Sequence, residues 1–440
     1  MSSDSGHIIP APAAAHLLII PFPAIGHLFP LMKLADQLAT NGLTITIMVT
    51  PKNLRHIQPL LNLHPKHSIG TLILPFPGHP EIPDGVENLQ ELPSLKFTPF
   101  LLQAFSKLCG PIGEWIKSHA NPPVAVMSDV FFSVAVQQLA VDVGIKRIGF
   151  TPLNAYSLHC CWGDGPDAEN RANMESWGLV FNTFEGLDDD YIQFYKEKMS
   201  HARVWAAGPL LAVQGNSSSK NKDNEEHHPV IEWLNSSSDD SVVYVGFGTQ
   251  IKLSPNQVSA VADALESSGC RFIWVIKTNV SSGGGDDLTT IGMPTGFKER
   301  VKQRGIVTTE WVPQQQILQH PAVGAYLTHS GWNSVMEGLI GGALLLLWPM
   351  QVDHYDHAKL LADHFGAVVR VCEGLDTVPD SAALAAVLAA STDPAEYKEI
   401  RARAVELGRK ACDAIQEDGS SSRAVIKDLV RQVMALRKII

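Results

Sequence analysis

In the first half of the chain, short apolar runs alternate with longer stretches of mixed character. The apolar runs predict buried strands at Leu17–Pro21, Thr44–Val49, Gly70–Leu74, Ala125–Ser128, Arg147–Phe150 and Gly178–Phe181. Between them, Leu28–Thr40 and Pro99–Ser118 carry apolar residues at helical spacing. Strands that alternate with helices predict a parallel sheet that is covered by helices on both faces.

A polar segment, Gln214–His228, separates this series from a second one and is predicted to be an interdomain linker or mobile loop. The second series predicts strands at Ser241–Phe247, Arg271–Ile276, Gly305–Glu310, Gly324–Leu327, Ala343–Trp348 and Ala367–Val371. It predicts helices at Pro255–Ser267, Gln314–Gln319, Asn333–Gly341, Asp356–His364, Pro379–Ala390 and Ser421–Arg437. Ser281–Asp287 is rich in glycine and is predicted to be a flexible surface loop.

Two Rossmann-like α/β domains with a cleft between them are therefore expected. We predict an N-terminal domain at 1–212, a linker at 213–240, and a second domain at 241–420. The helix at 421–440 is expected to pack back toward the N-terminal domain. Folds of this class bind ligands at the carboxyl ends of their parallel strands.

Composition and charge narrow the possible partners. The 440 residues carry a net charge of −11, which argues against a nucleic-acid surface. The six cysteines are scattered and lack zinc-site spacing, so reduced thiols in a cytoplasmic protein are expected. The apolar run Leu17–Phe22 is too short and lacks the basic flank of a signal peptide. We expect no transmembrane segment and no metal.

The segment from Trp311 to His354 carries the most specific pattern in the sequence. It contains Trp-x-Pro-Gln, the run His329-Ser-Gly-Trp-Asn-Ser334, then Glu337, Trp348-Pro349 and Asp353. This combination closely resembles the signature of the plant secondary-product glycosyltransferases, which are inverting enzymes with the GT-B fold. The resemblance extends to Pro23–His27, Gly208–Leu210 and Gly246–Thr249.

The residues of this segment suit a nucleoside diphosphate. His329–Ser334 falls where a strand ends and a helix begins, and a helix N-terminus offers unpaired N–H groups to a diphosphate. Glu337 is placed to accept hydrogen bonds from ribose hydroxyls. In the family, the tryptophan that corresponds to Trp311 stacks on uracil. The resemblance thus implies a UDP site built from Thr249, Trp311, Val312, Gln314, His329, Gly331, Trp332, Asn333, Ser334 and Glu337.

The resemblance also implies a catalytic pair in the first domain. His27 follows the first strand and matches the general base that deprotonates the acceptor hydroxyl, a task suited to the pKa of histidine. Asp129 follows the strand Ala125–Ser128 and would orient His27, as the carboxylate does in a Ser-His-Asp triad. The alternative is that Asp129 only caps the next helix.

The end of the signature bears on the donor sugar. Asp353 is predicted to bind sugar hydroxyls, and His354 stands where glucosyltransferases of the family commonly carry glutamine. The segment Thr151–Trp177 is shorter than in most relatives, and within it Asn154 is predicted to contribute to sugar binding. Matches around Leu74–Pro80, Pro152–Ala155 and Val243–Ile251 look most like flavonol 7-O-rhamnosyltransferases. UDP-rhamnose and a flavonol 7-hydroxyl are therefore the expected substrates.

Several alternatives remain at this stage. The donor could be UDP-glucose or another UDP-sugar, and the acceptor a different small phenolic. A UDP-sugar epimerase or a non-catalytic UDP-sugar-binding protein would share the architecture. A dehydrogenase fits poorly, since no Gly-x-Gly-x-x-Gly follows the first strand. We expect a monomer whose UDP-sugar is a co-substrate rather than a cofactor.

Overall fold

The computed structural model describes residues 14–64, 68–163, 165, 167–211, 228–277, 291–416 and 420–437. The predicted loop Ser281–Asp287 lies outside the described residues. So does the predicted polar segment Gln214–His228, apart from His228 itself.

The first half of the chain forms a seven-stranded sheet in the order β3-β2-β1-β4-β5-β6-β7, and all its neighbouring strands are parallel. The strands are β1 His16–Ile20, β2 Thr44–Val49, β3 Ile69–Ile73, β4 Ala125–Asp129, β5 Lys146–Thr151, β6 Gly178–Phe181 and β7 Val204–Ala206. Every residue of β1, β4 and β6 is buried, as expected for central strands that helices cover on both faces.

The second half forms a six-stranded sheet in the order β10-β9-β8-β11-β12-β13, also parallel throughout. Its strands are β8 Val242–Gly246, β9 Arg271–Val275, β10 Gly305–Thr308, β11 Val323–Thr328, β12 Leu344–Leu347 and β13 Val369–Arg370. These two sheets confirm the predicted α/β fold with two Rossmann-like units.

The α-helices cover the two sheets. In the N-terminal half they are Ile25–Thr40, Leu54–Leu63, Thr98–Ser106, Cys109–Ser118, Ser133–Val143, Ala155–Trp162, Ala168–Met174 and Asp189–Lys198. In the C-terminal half they are Pro229–Asn235, Pro255–Ser268, Phe297–Val301, Gln314–Leu318, Trp332–Gly341, His354–Lys359, Ser381–Ala390, Lys398–Gln416 and Ser421–Leu436. A π-helical turn at Leu360–His364 continues from His354–Lys359.

Three sequence-based expectations about helices differ from the structure. The predicted helix Pro99–Ser118 is two helices, Thr98–Ser106 and Cys109–Ser118, and Pro111 lies in the first turn of the second, where proline is tolerated. The predicted linker 213–240 includes the helix Pro229–Asn235. The first helix begins at Ile25 rather than at Leu28, so His27 lies in its first turn.

The last helix, Ser421–Leu436, packs against the N-terminal sheet rather than the second one. Ile426, Leu429 and Val433 are buried in the same core cluster as residues of β1 and β2. The indole of Trp205 in β7 donates a hydrogen bond to Asp428 at 2.9 Å. The chain therefore crosses back over the N-terminal unit at its end.

Each sheet reverses its strand order once, between β1 and β4 in the first and between β8 and β11 in the second. Crevices at such reversals are the usual ligand sites of open parallel sheets. His27 and Asp129 follow or end β1 and β4, while Thr249 and His329 follow β8 and β11. The fold thus brings these four predicted site residues to the two places where ligands are expected.

Candidate active site

A cavity of about 590 Å³ lies between the two units and contains most of the predicted site residues. Those that line it are His27, Thr249, Trp311, Val312, Gln314, His329, Gly331, Trp332, Asn333, Ser334, Glu337, Asp353 and His354. A cavity of this volume suits a small-molecule site. Asp129 and Asn154 are the two predicted residues that do not line it.

His27 and Asp129 form a hydrogen-bonded pair at the N-terminal side of the cavity. Nδ1 of His27 lies 2.8 Å from Oδ2 of Asp129, whose side chain is fully buried. The other oxygen, Oδ1, accepts from the backbone N–H of Phe131 at 2.9 Å. Asp129 therefore contacts both His27 and the turn that follows β4. With Nδ1 bonded to Asp129, Nε2 of His27 is the nitrogen left to accept a proton.

The surroundings of His27 favour its protonated form. Burial lowers the pKa of His27, but the charge of Asp129, its hydrogen bond and the charge of Asp353 together raise it above the ordinary 6.5. Phe22 and Phe131 pack on the imidazole with ring centroids 4.9 and 5.5 Å away. The ring is thereby fixed in place and primed to take up a proton.

The C-terminal side of the cavity is built on the N-terminus of the helix Trp332–Gly341. Its unpaired N–H groups and positive dipole end suit a diphosphate. Ser330 precedes it with φ of 70°, and Val352, just before Asp353, has φ of 46°. Non-glycine residues in this region are strained, and such strain concentrates at functional sites.

Two glycines make room for the imidazole of His329. A Cβ at position 331 would lie 2.4 Å from Nε2 of His329, and one at position 248 would lie 2.6 Å from its Cε1. Gly248 also has φ of +71°, a conformation that favours glycine. The absence of a side chain at Gly331 thus leaves space for the ring of His329.

Glu337 lies one turn into the same helix and is held by two amides. Nε2 of Gln314 donates to its Oε2 at 2.6 Å, and Nε2 of Gln315 donates to its Oε1 at 2.9 Å. Burial raises the pKa of Glu337, and the two amide donors oppose that rise. The hydroxyl of Tyr244 donates to Oε1 of Gln314 at 3.1 Å. This network fixes a carboxylate at the cavity wall, where it can accept hydrogen bonds from hydroxyl groups.

Trp311 projects its ring into the open part of the cavity and is 66% exposed. A large aromatic ring left this exposed at a cavity wall is typical of a stacking surface for a ligand rather than of a core residue. The arrangement agrees with the stacking role that the resemblance implies.

Two predicted UDP-binding residues also bond across the cleft. Nε1 of Trp332 donates to the carbonyl of Asn182 after β6 at 2.7 Å. Nδ2 of Asn333 donates to the carbonyl of Gly26, next to His27, at 3.0 Å. The helix Trp332–Gly341, called the signature helix below, is therefore hydrogen-bonded directly to the N-terminal unit, which holds His27 and Asp129.

Three histidines cluster at the sugar end of the signature. The rings of His329 and His354 meet edge to face at 4.8 Å, and Nδ1 of His357 donates to the carbonyl of Ser330 at 3.0 Å. Burial, with the neighbouring His354 and His357, lowers the pKa of His329 well below 6.5. Burial lowers the pKa of His354 to about 4 despite the attraction of Asp353. These imidazoles are neutral near pH 7 and can offer hydrogen bonds but no charge.

The structure does not bring Asn154 to the cavity. Its side chain accepts from the backbone N–H of Ser157 at 2.8 Å and caps the helix Ala155–Trp162. The two residues before it, Pro152 and Leu153, line the cavity instead. An asparagine before a helix is a frequent N-cap, and this signal was present in the sequence.

Sequence reasoning missed other residues of the site. Gln315 holds Glu337, and Lys277 lines the cavity two residues after β9. Lys277 could have been found from its position at the carboxyl end of a predicted strand. Arg55 also lines the cavity, but nothing in its local sequence pointed there.

The sequence of this chain is similar to those of known glycosyltransferases. The UDP-glucoronosyl and UDP-glucosyl transferase family matches residues 209–404. A flavonol 7-O-rhamnosyltransferase from Arabidopsis thaliana is 41% identical over 92% of this chain and 95% of its own. A flavonol 3-O-glucosyltransferase from the same plant is 40% identical over 93% of this chain and 94% of its own.

The chain belongs to the plant UDP-glycosyltransferases.

Solved structures place it in the same family. Crystal structures of Arabidopsis thaliana UGT89C1 cover 96% of this chain and 100% of their own. The complex with UDP-L-rhamnose has a TM-score of 0.84 at 40% identity, and that with quercetin has 0.83 at 39%. Plant UDP-glycosyltransferases have the GT-B fold, which confirms the expected architecture and sets aside the epimerase and dehydrogenase alternatives.

Two further observations concern the described part of this UDP-glycosyltransferase. None of the helices described is both long and apolar enough to cross a membrane. All six cysteines are unpaired, and the described residues contain no cluster of His, Cys, Asp or Glu that could hold a metal ion.

Proposed function

We propose that this enzyme transfers L-rhamnose from UDP-rhamnose to the 7-hydroxyl of a flavonol, with inversion at the anomeric carbon. The observation that carries the catalytic part is the His27–Asp129 pair, which opens on the cavity opposite the signature helix.

His27 acts as the general base. Nε2 takes the proton of the acceptor hydroxyl as the oxygen attacks the anomeric carbon, and the Asp129 carboxylate stabilises the imidazolium that forms. The bond between the anomeric carbon and the diphosphate oxygen breaks, and its electron pair leaves with UDP. The phenolic hydroxyls of flavonols are acidic enough for such a base to deprotonate them during attack.

The signature helix holds the nucleotide and receives the negative charge that develops on it. The N-terminus of Trp332–Gly341, with Ser334 and Thr249, faces the diphosphate, while Trp311 stacks on the uracil and Glu337 binds the ribose. Val312 and Gln314 complete the nucleoside side. Because these groups are placed before the reaction starts, they stabilise the leaving group without reorganising.

Asp353 and His354 stand at the sugar end of the cavity and support the choice of rhamnose. Rhamnose has a methyl group where glucose has its 6-hydroxyl, so its pocket needs fewer polar groups there. A neutral imidazole at position 354 offers fewer hydrogen-bonding atoms than the glutamine amide common in glucosyltransferases. The rhamnosyltransferase relative and the UDP-L-rhamnose complex support the same donor. The quercetin complex supports a flavonol acceptor.

UDP-glucose is the second candidate donor, because the flavonol 3-O-glucosyltransferase is as similar to this chain as the rhamnosyltransferase. The activity of that relative also makes the flavonol 3-hydroxyl a second candidate acceptor position beside the 7-hydroxyl.

The test is a parallel assay of the purified enzyme with quercetin and UDP-rhamnose, UDP-glucose or UDP-galactose. We expect the largest kcat/KM with UDP-rhamnose, a product mass that corresponds to a deoxyhexoside, and an NMR assignment to the 7-oxygen. A higher kcat/KM with UDP-glucose would show that glucose, not rhamnose, is the sugar transferred. A 3-O-glycoside product would show that the 3-hydroxyl, not the 7-hydroxyl, is the acceptor. No product with any phenolic acceptor would favour a protein that binds UDP-sugars without catalysis.

A further inference from the structure

Arg147 is a buried cation beside the catalytic pair for which the proposed mechanism has no use. It lies on β5, next to the strand that ends in Asp129, and is only 2% exposed. The four hydrogen bonds that the structure gives it all go to uncharged acceptors: Oγ of Ser128, Oγ of Ser133, Oδ1 of Asn173 and the carbonyl of Ala172. A buried charge is costly, and an apolar residue could fill the same volume.

The contacts of Arg147 converge on the two residues that flank Asp129. On one side, Nε donates directly to the hydroxyl of Ser128 at 2.9 Å. On the other side, the guanidinium bonds Oγ of Ser133 at 2.6 Å and Oδ1 of Asn173 at 2.9 Å. Both of these side chains reach the carbonyl of Val130, Ser133 at 2.6 Å and Asn173 at 3.0 Å.

The turn after Asp129 matters because it carries two contacts of the catalytic pair. Its Phe131 donates the backbone N–H that binds Oδ1 of Asp129, and the Phe131 ring packs against His27. A shift of the Val130–Phe131 peptide would move both the carboxylate and the imidazole. Burial lowers the pKa of Arg147 to about 10, and the charges of Glu169 and Asp129 oppose this, so the residue stays a cation near pH 7.

We infer that Arg147 is a positioning residue for the reaction, which fixes the Asp129 carboxylate against His27 through Ser128, Ser133 and Asn173. This inference rests on the proposed role of the His27–Asp129 pair. Arg147 touches neither substrate and acts only through Asp129. A lysine cannot replace it, because one ammonium group cannot reproduce the fork of the guanidinium donors.

The experiment is a double-mutant cycle between Arg147→Lys and Asp129→Asn in the full-length enzyme, with thermal melts to verify folding. Arg147→Lys alone should lower kcat by roughly 10- to 100-fold, since small misplacements of catalytic groups cost that much. The KM for the UDP-sugar should change by less than about twofold, because the donor site is intact. The acidic limb of kcat/KM should move to lower pH, since His27 loses part of the support that raises its pKa.

The decisive readout is the double variant. If Arg147 acts through Asp129, Asp129→Asn combined with Arg147→Lys should be no slower than Asp129→Asn alone, within about twofold. Arg304→Lys is the matched control, because its guanidinium bonds the carbonyls of Leu265, Glu266 and Cys270 in the other unit. Arg304→Lys should leave the pH profile of kcat/KM unchanged. Any loss of kcat that it causes should multiply with the loss of kcat caused by Asp129→Asn.

Multiplied losses in the Arg147→Lys double variant, or an unmoved acidic limb, would overturn the inference while leaving the catalytic pair in place. A normal kcat in Asp129→Asn by itself would instead overturn the proposed catalytic pair, and the inference with it. If Arg147→Lys does not fold, Asn173→Ala gives the same cycle, because it removes one of the two links to the Val130 carbonyl.

Discussion

The two sides of the cavity use histidine in opposite electrostatic states. On the N-terminal side, His27 is bonded to a buried carboxylate, and its pKa lies above the ordinary value. On the C-terminal side, His329, His354 and His357 crowd together, and burial lowers the pKa of each. The same side chain is therefore primed to take up a proton on one side and kept neutral on the other.

The difference follows from what each imidazole contacts. A carboxylate within hydrogen-bond distance offsets the cost of burying an imidazolium, whereas neighbouring imidazoles add to that cost. A carboxylate oxygen of Asp353 lies 3.6 Å from Nδ1 of His357, beyond hydrogen-bond distance. Proton transfer is thus expected on one side and neutral hydrogen bonding to the donor on the other. The following predictions test that division.

The largest effect is expected from His27→Ala, which removes the proposed base. Product formation should fall by at least about 10⁴-fold, while UDP affinity measured by calorimetry should stay within about twofold. His320→Ala is the control, because His320 lies outside the residues that line the cavity. Near-normal turnover in His27→Ala would remove this residue from the mechanism.

Asp129→Asn should lower kcat by roughly 10³- to 10⁴-fold by loss of the orienting carboxylate. The base must be neutral, so the acidic limb of the parent kcat/KM should lie above pH 6.5, where the raised pKa of His27 places it. Without the carboxylate, that limb should move to lower pH. If Asp129 only capped the turn, stability would fall by about 1 kcal/mol with little change in rate. Initial rates and thermal melts on the same sample separate the two cases.

Glu337→Ala tests whether the C-terminal side of the cavity binds the nucleotide. Loss of a carboxylate that binds ribose hydroxyls should weaken UDP binding by roughly 10- to 100-fold, equally for every UDP-sugar. Glu396→Ala is the control, because it removes a carboxylate from an exposed residue that does not line the cavity. An unchanged UDP affinity in Glu337→Ala would contradict the ribose assignment.

A smaller effect is expected from His354→Gln at the sugar end. An amide that can satisfy several hydroxyls should favour glucose, and when unpaired it should disfavour rhamnose, which shifts the product ratio by about tenfold. Competition between UDP-rhamnose and UDP-glucose, with His320→Gln as the control, measures this ratio. A constant ratio would place donor choice elsewhere, and the Thr151–Trp162 segment would be examined next.

The last prediction is that the affinity for the UDP-sugar does not change with pH. The pKa of His354 is about 4, and those of His329 and His357 are also lowered, so none of the three should change charge over most of the working range. Measured in the His27→Ala variant, so that protonation of His27 does not contribute, the affinity for the intact UDP-sugar should then vary by less than about twofold between about pH 6 and pH 8. A rise in affinity of this variant on acidification over that range would show that one of these imidazoles becomes charged.

Strong local patterns were enough to predict much of the fold. The strands Thr44–Val49 and Gly178–Phe181 match their predicted bounds, because each is a continuous apolar or β-branched run. The three-residue strand Val204–Ala206 and the helix Lys398–Gln416 were not predicted. The buried face of that helix is mainly alanine and glycine, and Gly408 packs directly on the carbonyl of Leu339. Such small residues give a weak hydrophobic signal in sequence.

The sequence by itself determined the family, the two-sheet fold and thirteen residues that line the cavity, because eleven of the thirteen lie at fixed spacings within the one segment Trp311–His354. Only the tertiary structure decided which groups meet across long separations. It joined Asn333 to Gly26, and Arg147 to both flanks of Asp129. These outcomes depend on the register and order of the strands, which place distant residues side by side and which no local pattern encodes.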